Sequence, residues 1–216
     1  MTMAALRKSV LDVASQLEAR GLTQGTSGNV SARLSEGFLV TPSAVPYDEL
    51  STADLVVIEN GGAVRRGPRV RRPSSEWRMH AEILRARPEV GAIVHAHPPW
   101  ATALSCLHRD IPAFHYMVAV AGGNMIRCSE YATFGTQELA EACVAALDTR
   151  QACLLANHGI VVCGDTPEAA LALAVEVEAL AGQYMRALSV GEPVLLDEAE
   201  MARVLASFED YRGGSR

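Results

Sequence analysis

His95-Ala96-His97 closes an apolar run that begins at Gly91. In a β-strand, residues i and i+2 leave the same face, so both imidazoles aim at one point. Imidazole nitrogen binds zinc and similar divalent ions at about 2.0–2.1 Å. The pair is therefore half of a candidate metal site on rigid backbone. His158, in Asn157-His158-Gly159 between two apolar runs, is the candidate third ligand, and the glycine beside it permits a tight turn that aims the ring. Three histidines plus one open or labile position is the pattern of catalytic zinc sites rather than closed structural ones. The other histidines, His80, His108 and His115, read as ordinary hydrogen-bonded residues. His80 lies four residues after Glu76, so a local pair with that carboxylate on one helical face is open to it.

A second group of residues could hold an anion. The segment Gly25-Thr26-Ser27-Gly28-Asn29 offers backbone N–H groups among small side chains. Ser43 with Ala44, and Ser74 with Ser75, add hydroxyls and further amides. A helix N-terminus carries about half a positive charge and unpaired N–H donors, which suits phosphate. Taken one at a time, each feature is equally a turn or a helix cap.

The elements that must carry these residues follow from periodicity and punctuation. Residues 4–19 place Leu6, Val10, Val13, Ala14 and Leu17 on one helical face, with Gly21 as the stop. Val30–Val40 reads as a hairpin around Ser35-Glu36-Gly37, and Asn60-Gly61-Gly62 reads as a second hairpin turn between residues 55–58 and 63–64. Pro73-Ser74-Ser75-Glu76 predicts a helix start with Ser74 or Ser75 as N-cap, running to Arg87 before Pro88. Residues 91–97 predict a strand, 100–107 a short helix and 116–121 a strand. Residues 135–147 predict a helix, and 153–156 and 160–163 two buried strands. Thr166-Pro167-Glu168 opens a long helix to about Leu188, and 198–208 form a last short one. Helices flank several short strands, and no repeat or long linker divides the chain. Residues 1–216 thus read as one three-layer α/β domain.

Composition narrows the function classes. Of 216 residues, 49% are hydrophobic, which excludes a disordered chain. The 19 Lys and Arg against 25 Asp and Glu leave a formal net charge of −6, which argues against a nucleic-acid partner. The one basic cluster, Arg65 to Arg72, is broken by Gly67 and Pro68 and reads as a solvated loop. The longest apolar run, Ala169 to Val175, is far short of the ~18 residues of a spanning helix, so no membrane partner is expected. Charges at Arg7, Lys8, Asp12, Glu18 and Arg20 break any signal-peptide pattern. Five cysteines without a C-x-x-C pair point to reduced thiols and a cytoplasmic location.

Seven stretches in one order carry a family resemblance. They are GTSGNVSAR (25–33), TPSAVPYDEL (41–50), PSSEWRMH (73–80), VGAIVHAHPPWATALS (90–105), IPAFHYMVAVAGGN (111–124), YATFGTQELAE (131–141) and ANHGIVVCGDTPEAAL (156–171). Over about residues 22–186 the chain resembles the class II aldolase/adducin-type family, nearest to members that cleave L-fuculose 1-phosphate. The resemblance implies a three-layer α/β/α fold with a central, mostly antiparallel sheet. It implies that His95, His97 and His158 bind a divalent metal, most often Zn2+ with Mn2+ or Co2+ as alternatives. Glu76 would be a fourth ligand and the catalytic base. Gly28, Asn29, Ser43, Ala44, Ser74 and Ser75 match positions that hold the phosphate of a small sugar phosphate. Tyr116 matches a catalytic tyrosine that acts from a neighbouring subunit of a cyclic homotetramer, with sites at the subunit interfaces. A second, C-terminal tyrosine contributes in relatives, and Tyr211 is the candidate for it. Relatives usually carry Thr-Gly where this chain has Ser43-Ala44, and alanine disfavours positive φ.

The implied activity is reversible cleavage of a ketose 1-phosphate, such as L-fuculose 1-phosphate, to dihydroxyacetone phosphate and a lactaldehyde-type aldehyde. A divalent metal stabilises the ene-diolate charge in such a reaction, so no lysine Schiff base is needed. Lys8 is the only lysine, which argues against the alternative Schiff-base class of aldolase. Rival readings on the same scaffold are a 5-deoxyribulose- or 5-methylthioribulose-1-phosphate aldolase, a ribulose-5-phosphate 4-epimerase and a methylthioribulose-1-phosphate dehydratase. A non-enzymatic module of the adducin type would lack the metal-binding residues, which are all present here.

Overall fold

Side-chain alternation along β5 (Ala92–Ala96) divides the interior in two. Ala92, Val94 and Ala96 enter one hydrophobic core, while Ile93 enters another and His95 shares its face. The same alternation runs through β7 (Gly159–Gly164), where Ile160 and Val162 face the first core and Val161 and Cys163 the second. Helices α1 (Met3–Ala19), α3 (Pro99–Ser105) and α5 (Pro167–Val190) cover the first face. Helices α2 (Trp77–Ala86) and α4 (Gln137–Leu147) cover the second. The result is the expected α/β/α sandwich.

The structure is a computed structural model that describes residues 1–65 and 71–213. The remaining strands are β1 (Asn29–Leu34), β2 (Gly37–Val40), β3 (Val56–Glu59), β4 (Val64–Arg65) and β6 (Ala152–Leu155). They form one seven-stranded sheet in the order β4-β3-β2-β1-β5-β7-β6, and every pairing between these strands is antiparallel. In the β1–β5 register Asn29 stands opposite His95 and Ser31 opposite Ile93. Helix α6 (Glu198–Gly213) closes the chain. Thr2, Thr136 and Thr166 cap α1, α4 and α5 by accepting the N–H of Ala5, Leu139 and Ala169.

Two expectations are corrected. Residues Tyr116–Ala121 form a 3-10 helix, not a strand. The apolar run has no neighbouring strand to pair with, His115 Nδ1 accepts the N–H of Met117, and Gly122 at φ 83° ends the turn. A short apolar run does not by itself distinguish the two states. Helix α2 begins one or two residues later than predicted, with Glu76 at the N-cap and no side-chain cap bond. Residues 75–76 form a turn before it, with the Trp77 N–H bonded to the Ser74 carbonyl at 3.2 Å and the Ser74 N–H bonded to the Thr41 carbonyl at 3.0 Å. Ser74 Oγ still accepts the Glu76 N–H at 3.3 Å. Of the arginine cluster, Arg65 pairs with Glu59 at the end of β4, and residues 66–70 lie outside the described residues. All five cysteines are free thiols. No helix among the described residues is long and apolar enough to cross a membrane.

Leu154 is fully buried on β6 in the first core, whereas Val194 is 89% exposed. Leu154→Ala is expected to cost about 2–5 kcal/mol of unfolding free energy. Val194→Ala should cost about 0.5 kcal/mol or less. Urea unfolding followed by circular dichroism checks both, and equal losses would contradict the layered core.

Candidate metal centre

His95 is placed by its strand and oriented by a backbone bond. Its Nδ1 donates to the Ile160 carbonyl at 2.8 Å, across the β5–β7 ladder. That bond turns Nε2 away from the ladder toward His97, whose Nε2 lies 3.0 Å away. His97 follows the end of β5, and His158 sits in the tight turn between β6 and β7. The turn is anchored on the end of α3: the Asn157 N–H donates to the Ser105 carbonyl at 3.0 Å, and the His158 N–H lies 3.3 Å from Ser105 Oγ. Asn157 occupies the left-handed region at φ 54°, and His108 Nε2 bonds its side-chain oxygen at 2.6 Å. Gly159 is dictated by contact: a Cβ there would meet the Ala96 carbonyl at 2.3 Å and the His97 ring at 2.8 Å. Gly28 is dictated by conformation, with φ 82° and a would-be Cβ 2.8 Å from the His95 carbonyl.

Glu76 reaches this cluster from the start of α2. Its Oε2 lies 3.0 Å from His95 Nε2, and its Oε1 lies 3.3 Å from His158 Nε2. One ligand atom each from Glu76, His95, His97 and His158 lie within 4.8 Å of one another. Glu76 Oε1 is buried yet has no hydrogen-bond partner. A buried orphan carboxylate oxygen among three imidazoles fits a divalent cation, which this mixed N/O donor set can hold. The local pair open to His80 and Glu76 does not form. Asn29 stands between them, its Nδ2 donating to Glu76 Oε2 at 3.1 Å. His115 serves as a helix cap, as an ordinary histidine would.

Burial and mutual charge shift the titration of every member of the cluster. Burial alone would raise the Glu76 pKa, but the neighbouring imidazoles, His95 first, outweigh it and hold the carboxyl below its usual range. Burial and then the charge of His95 push His97 and His158 down to about 4, with His158 also acting on His97. Burial and His95 push His80 down to about 3. Burial would also lower His95, yet the Glu76 carboxylate, followed by the Ile160 carbonyl, lifts it above the ordinary value.

The six residues expected at a phosphate, Gly28, Asn29, Ser43, Ala44, Ser74 and Ser75, all line one cavity of about 360 Å³. Glu76, His97 and His158 line it too, and His95 is buried beside them. Backbone pairing assembles these loops: Pro42 bridges Pro73, and the Ser43 N–H donates to the Arg72 carbonyl. Tyr47 Oη donates to the Gly28 carbonyl at 2.8 Å. Ala44 does adopt the left-handed conformation, φ 57°, that its side chain disfavours. No lysine or arginine is among the described residues that line the cavity. Tyr131, Ala132 and Phe134 also line it, and sequence reasoning gave none of them a role. Tyr131 and Phe134 sit in an irregular loop, where no periodicity marks a side chain's direction.

Tyr116 does not join them. It is 51% exposed, stacks on His115 and Phe208, and lines a separate hollow with Glu200, Arg203, Val204 and Ser207. Tyr211 lies in α6, and its side chain is outside the described residues.

Residues 8–185 match the family model described as class II aldolase and adducin N-terminal domain. Over 207 residues the chain is 53% identical to the 5-methylthioribulose-1-phosphate/5-deoxyribulose-1-phosphate aldolase of Rhodospirillum rubrum, covering 96% of this chain and 92% of that protein. It is 45% identical to the L-fuculose phosphate aldolase of Escherichia coli, covering 95% of each. A solved L-fuculose 1-phosphate aldolase superposes with a TM-score of 0.92 at 39% identity, over 97% of this chain and 98% of that one.

The shifts above set a pH dependence. His80, His97 and His158 have folded values below the ordinary 6.5, so each takes up a proton on unfolding. The stability they confer is present above that value and is lost as pH falls toward their folded values. His95, raised, opposes them with one proton. The metal-free protein is therefore expected to melt at progressively lower temperature as pH drops from about 6.5 to about 5. Differential scanning fluorimetry of chelator-treated protein checks this; a Tm that holds or rises across that window contradicts the assigned shifts.

Proposed function

Because the chain belongs to the class II aldolase and adducin family and is a class II aldolase, we propose that its substrate is a ketose 1-phosphate. The bond between C3 and C4 breaks, giving dihydroxyacetone phosphate and a short aldehyde. One observation carries this reading: the Glu76/His95/His97/His158 cluster and the phosphate-sized set of neutral donors share one cavity. His95, His97, His158 and Glu76 would hold the cation, which we take to be Zn2+, with Mn2+ or Co2+ as alternatives set by availability. A divalent cation there supplies Lewis acidity toward the negative charge that builds on the three-carbon fragment.

The chain's own groups do the rest. Gly28, Asn29, Ser43, Ala44, Ser74 and Ser75 bind the phosphate through N–H and O–H donors ahead of the N-terminus of α2. Holding the phosphate fixes C3 relative to Glu76. Glu76, held ionised, is in the form that removes the C3 proton in the direction of synthesis. In cleavage it returns that proton to the same carbon. Tyr116, exposed and remote from its own cavity, accepts the C4 hydroxyl proton in the cavity of a neighbouring copy. We accordingly read the protein as a homotetramer of one-domain chains with sites at the interfaces. Free thiols accord with a cytoplasmic location.

At the cavity, Tyr131 and Phe134 present exposed aromatic surface. That surface suits an aldehyde ending in a methyl or methylthio group rather than in a hydroxyl. The 53% identical relative favours 5-deoxyribulose 1-phosphate and 5-methylthioribulose 1-phosphate as substrates. L-fuculose 1-phosphate is the second reading, favoured by the 45% identical relative and the fold match.

A coupled assay for dihydroxyacetone phosphate tests the activity. All three sugar phosphates are offered, with and without chelator, and the ranking of rates names the aldehyde. Release should vanish with chelator. It should survive borohydride, because Lys8, the only lysine, lies exposed on α1 beside Asp12. Release of no dihydroxyacetone phosphate by metal-loaded protein would favour an epimerase or dehydratase. The base is tested separately: Glu76→Gln should slow exchange of the C3 proton of dihydroxyacetone phosphate with solvent by about 100-fold or more. Exchange at the wild-type rate, followed by proton NMR in deuterium oxide, would remove Glu76 from that role.

A further inference from the structure

Beneath the cavity lies a polar chain that the reaction above does not use. His80, one helical turn beyond Glu76, is fully buried in the layer between α2 and the sheet. Its Nδ1 lies 2.6 Å from Ser31 Oγ, and its Nε2 meets Asn29 Oδ1 in a short contact. Asn29 Nδ2 then donates to Glu76 Oε2 at 3.1 Å. Nearby positions of α2, Met79 and Ile83, fill the same layer with apolar side chains, so a buried imidazole is not demanded by packing.

The protons in this chain can be assigned from chemistry alone. A carboxylate only accepts, so Asn29 must turn its NH2 toward Glu76 and its oxygen toward His80. An amide oxygen also only accepts, so His80 Nε2 must carry the proton. The bare Nδ1 then accepts from the Ser31 hydroxyl. Every donor points toward Glu76. We propose that His80 is a positioning residue for the reaction: its Nε2–H locks the Asn29 amide in the one orientation that offers an N–H to the Glu76 carboxylate. Without that lock the amide is free to rotate, and its oxygen would face the carboxylate and push it away. The second N–H of Asn29, on a residue that also lines the cavity, is left for substrate phosphate. The proposal rests on the reading of Glu76 as the base.

His80→Gln keeps an N–H near the position of Nε2, and His80→Leu removes it. Both are purified, checked for metal content and assayed for dihydroxyacetone phosphate release. In His80→Leu kcat is expected to fall about tenfold, the worth of one buried hydrogen bond, and the acidic limb of the pH–rate profile should move to higher pH. His80→Gln should stay within about threefold of wild type and keep the profile. Wild-type kcat and profile in a folded, metal-loaded His80→Leu protein would overturn the proposal, as would equal losses in both variants. Nitrogen-15 NMR of metal-free wild-type protein gives a test independent of activity and of variant folding. The His80 ring should show the neutral Nε2–H tautomer; an Nδ1–H or doubly protonated ring overturns the proposal. An inactive wild type would count against the proposed reaction instead, and the tautomer measurement would still stand or fall alone.

Discussion

A carboxylate with 7% of its residue surface exposed is expensive to bury unless something compensates its charge. At Glu76 the compensation comes from His95 and His158 on one side and the Asn29 amide on the other. Most of the local architecture answers to that requirement. The β1–β5 register puts Asn29 beside His95. The late start of α2 puts Glu76 where the chain turns into the helix. The sharp turn before β7 swings His158 into the same space, and Gly159 leaves room for the His97 ring. None of these elements could shift by a residue without separating the charge from its partners. Strand register is the strictest case, because a slip of one position would turn His95 into the opposite, wholly apolar core.

The side of the cavity proposed to hold the phosphate is built differently. It has hydroxyls, an amide and backbone N–H groups near a helix start, and no cationic side chain among the described residues that line it. Neutral donors define position by direction rather than by long-range attraction. A cluster able to hold a cation gains from having no competing lysine or arginine beside it. The left-handed backbone at Ala44 is local strain of the kind that concentrates at such loops.

Much of this was legible in residue order. The i, i+2 histidines on a strand were a geometric statement before any coordinates, and their rings lie with centroids 4.8 Å apart. The hairpins were written in their turn residues, and the long α5 in its Thr-Pro-Glu opening. What escaped were features decided by partners distant in the chain. The α2 start depended on a bridge between Pro42 and Pro73, thirty-one residues apart in numbering, which no local cap rule contains. The 3-10 turn at Tyr116 depended on the lack of a strand to pair with. From its spacing His80 reads as an ordinary hydrogen-bonded residue open to a local pair with Glu76, which leaves its place in a buried polar chain unmarked. The informative sign lay elsewhere: Asn29 and Ser31 alternate with Val30 and Ala32 along β1, so one face of a buried strand is polar. Tyr116 sits between His115 and helix α6, away from the cavity, because the 3-10 turn turns it there and no local sequence pattern marks that direction.

The one-way run of donors from Ser31 to Glu76 has a consequence for how such a protein can change over time. Each member is defined by what its neighbour offers, so an exchange at one position leaves two acceptors or two donors face to face. Asn29 to aspartate would set a carboxylate against Glu76, and a residue at position 80 with no N–H to offer would leave the amide unguided. The four residues behave more like one large side chain spread over β1 and α2 than like four separate choices.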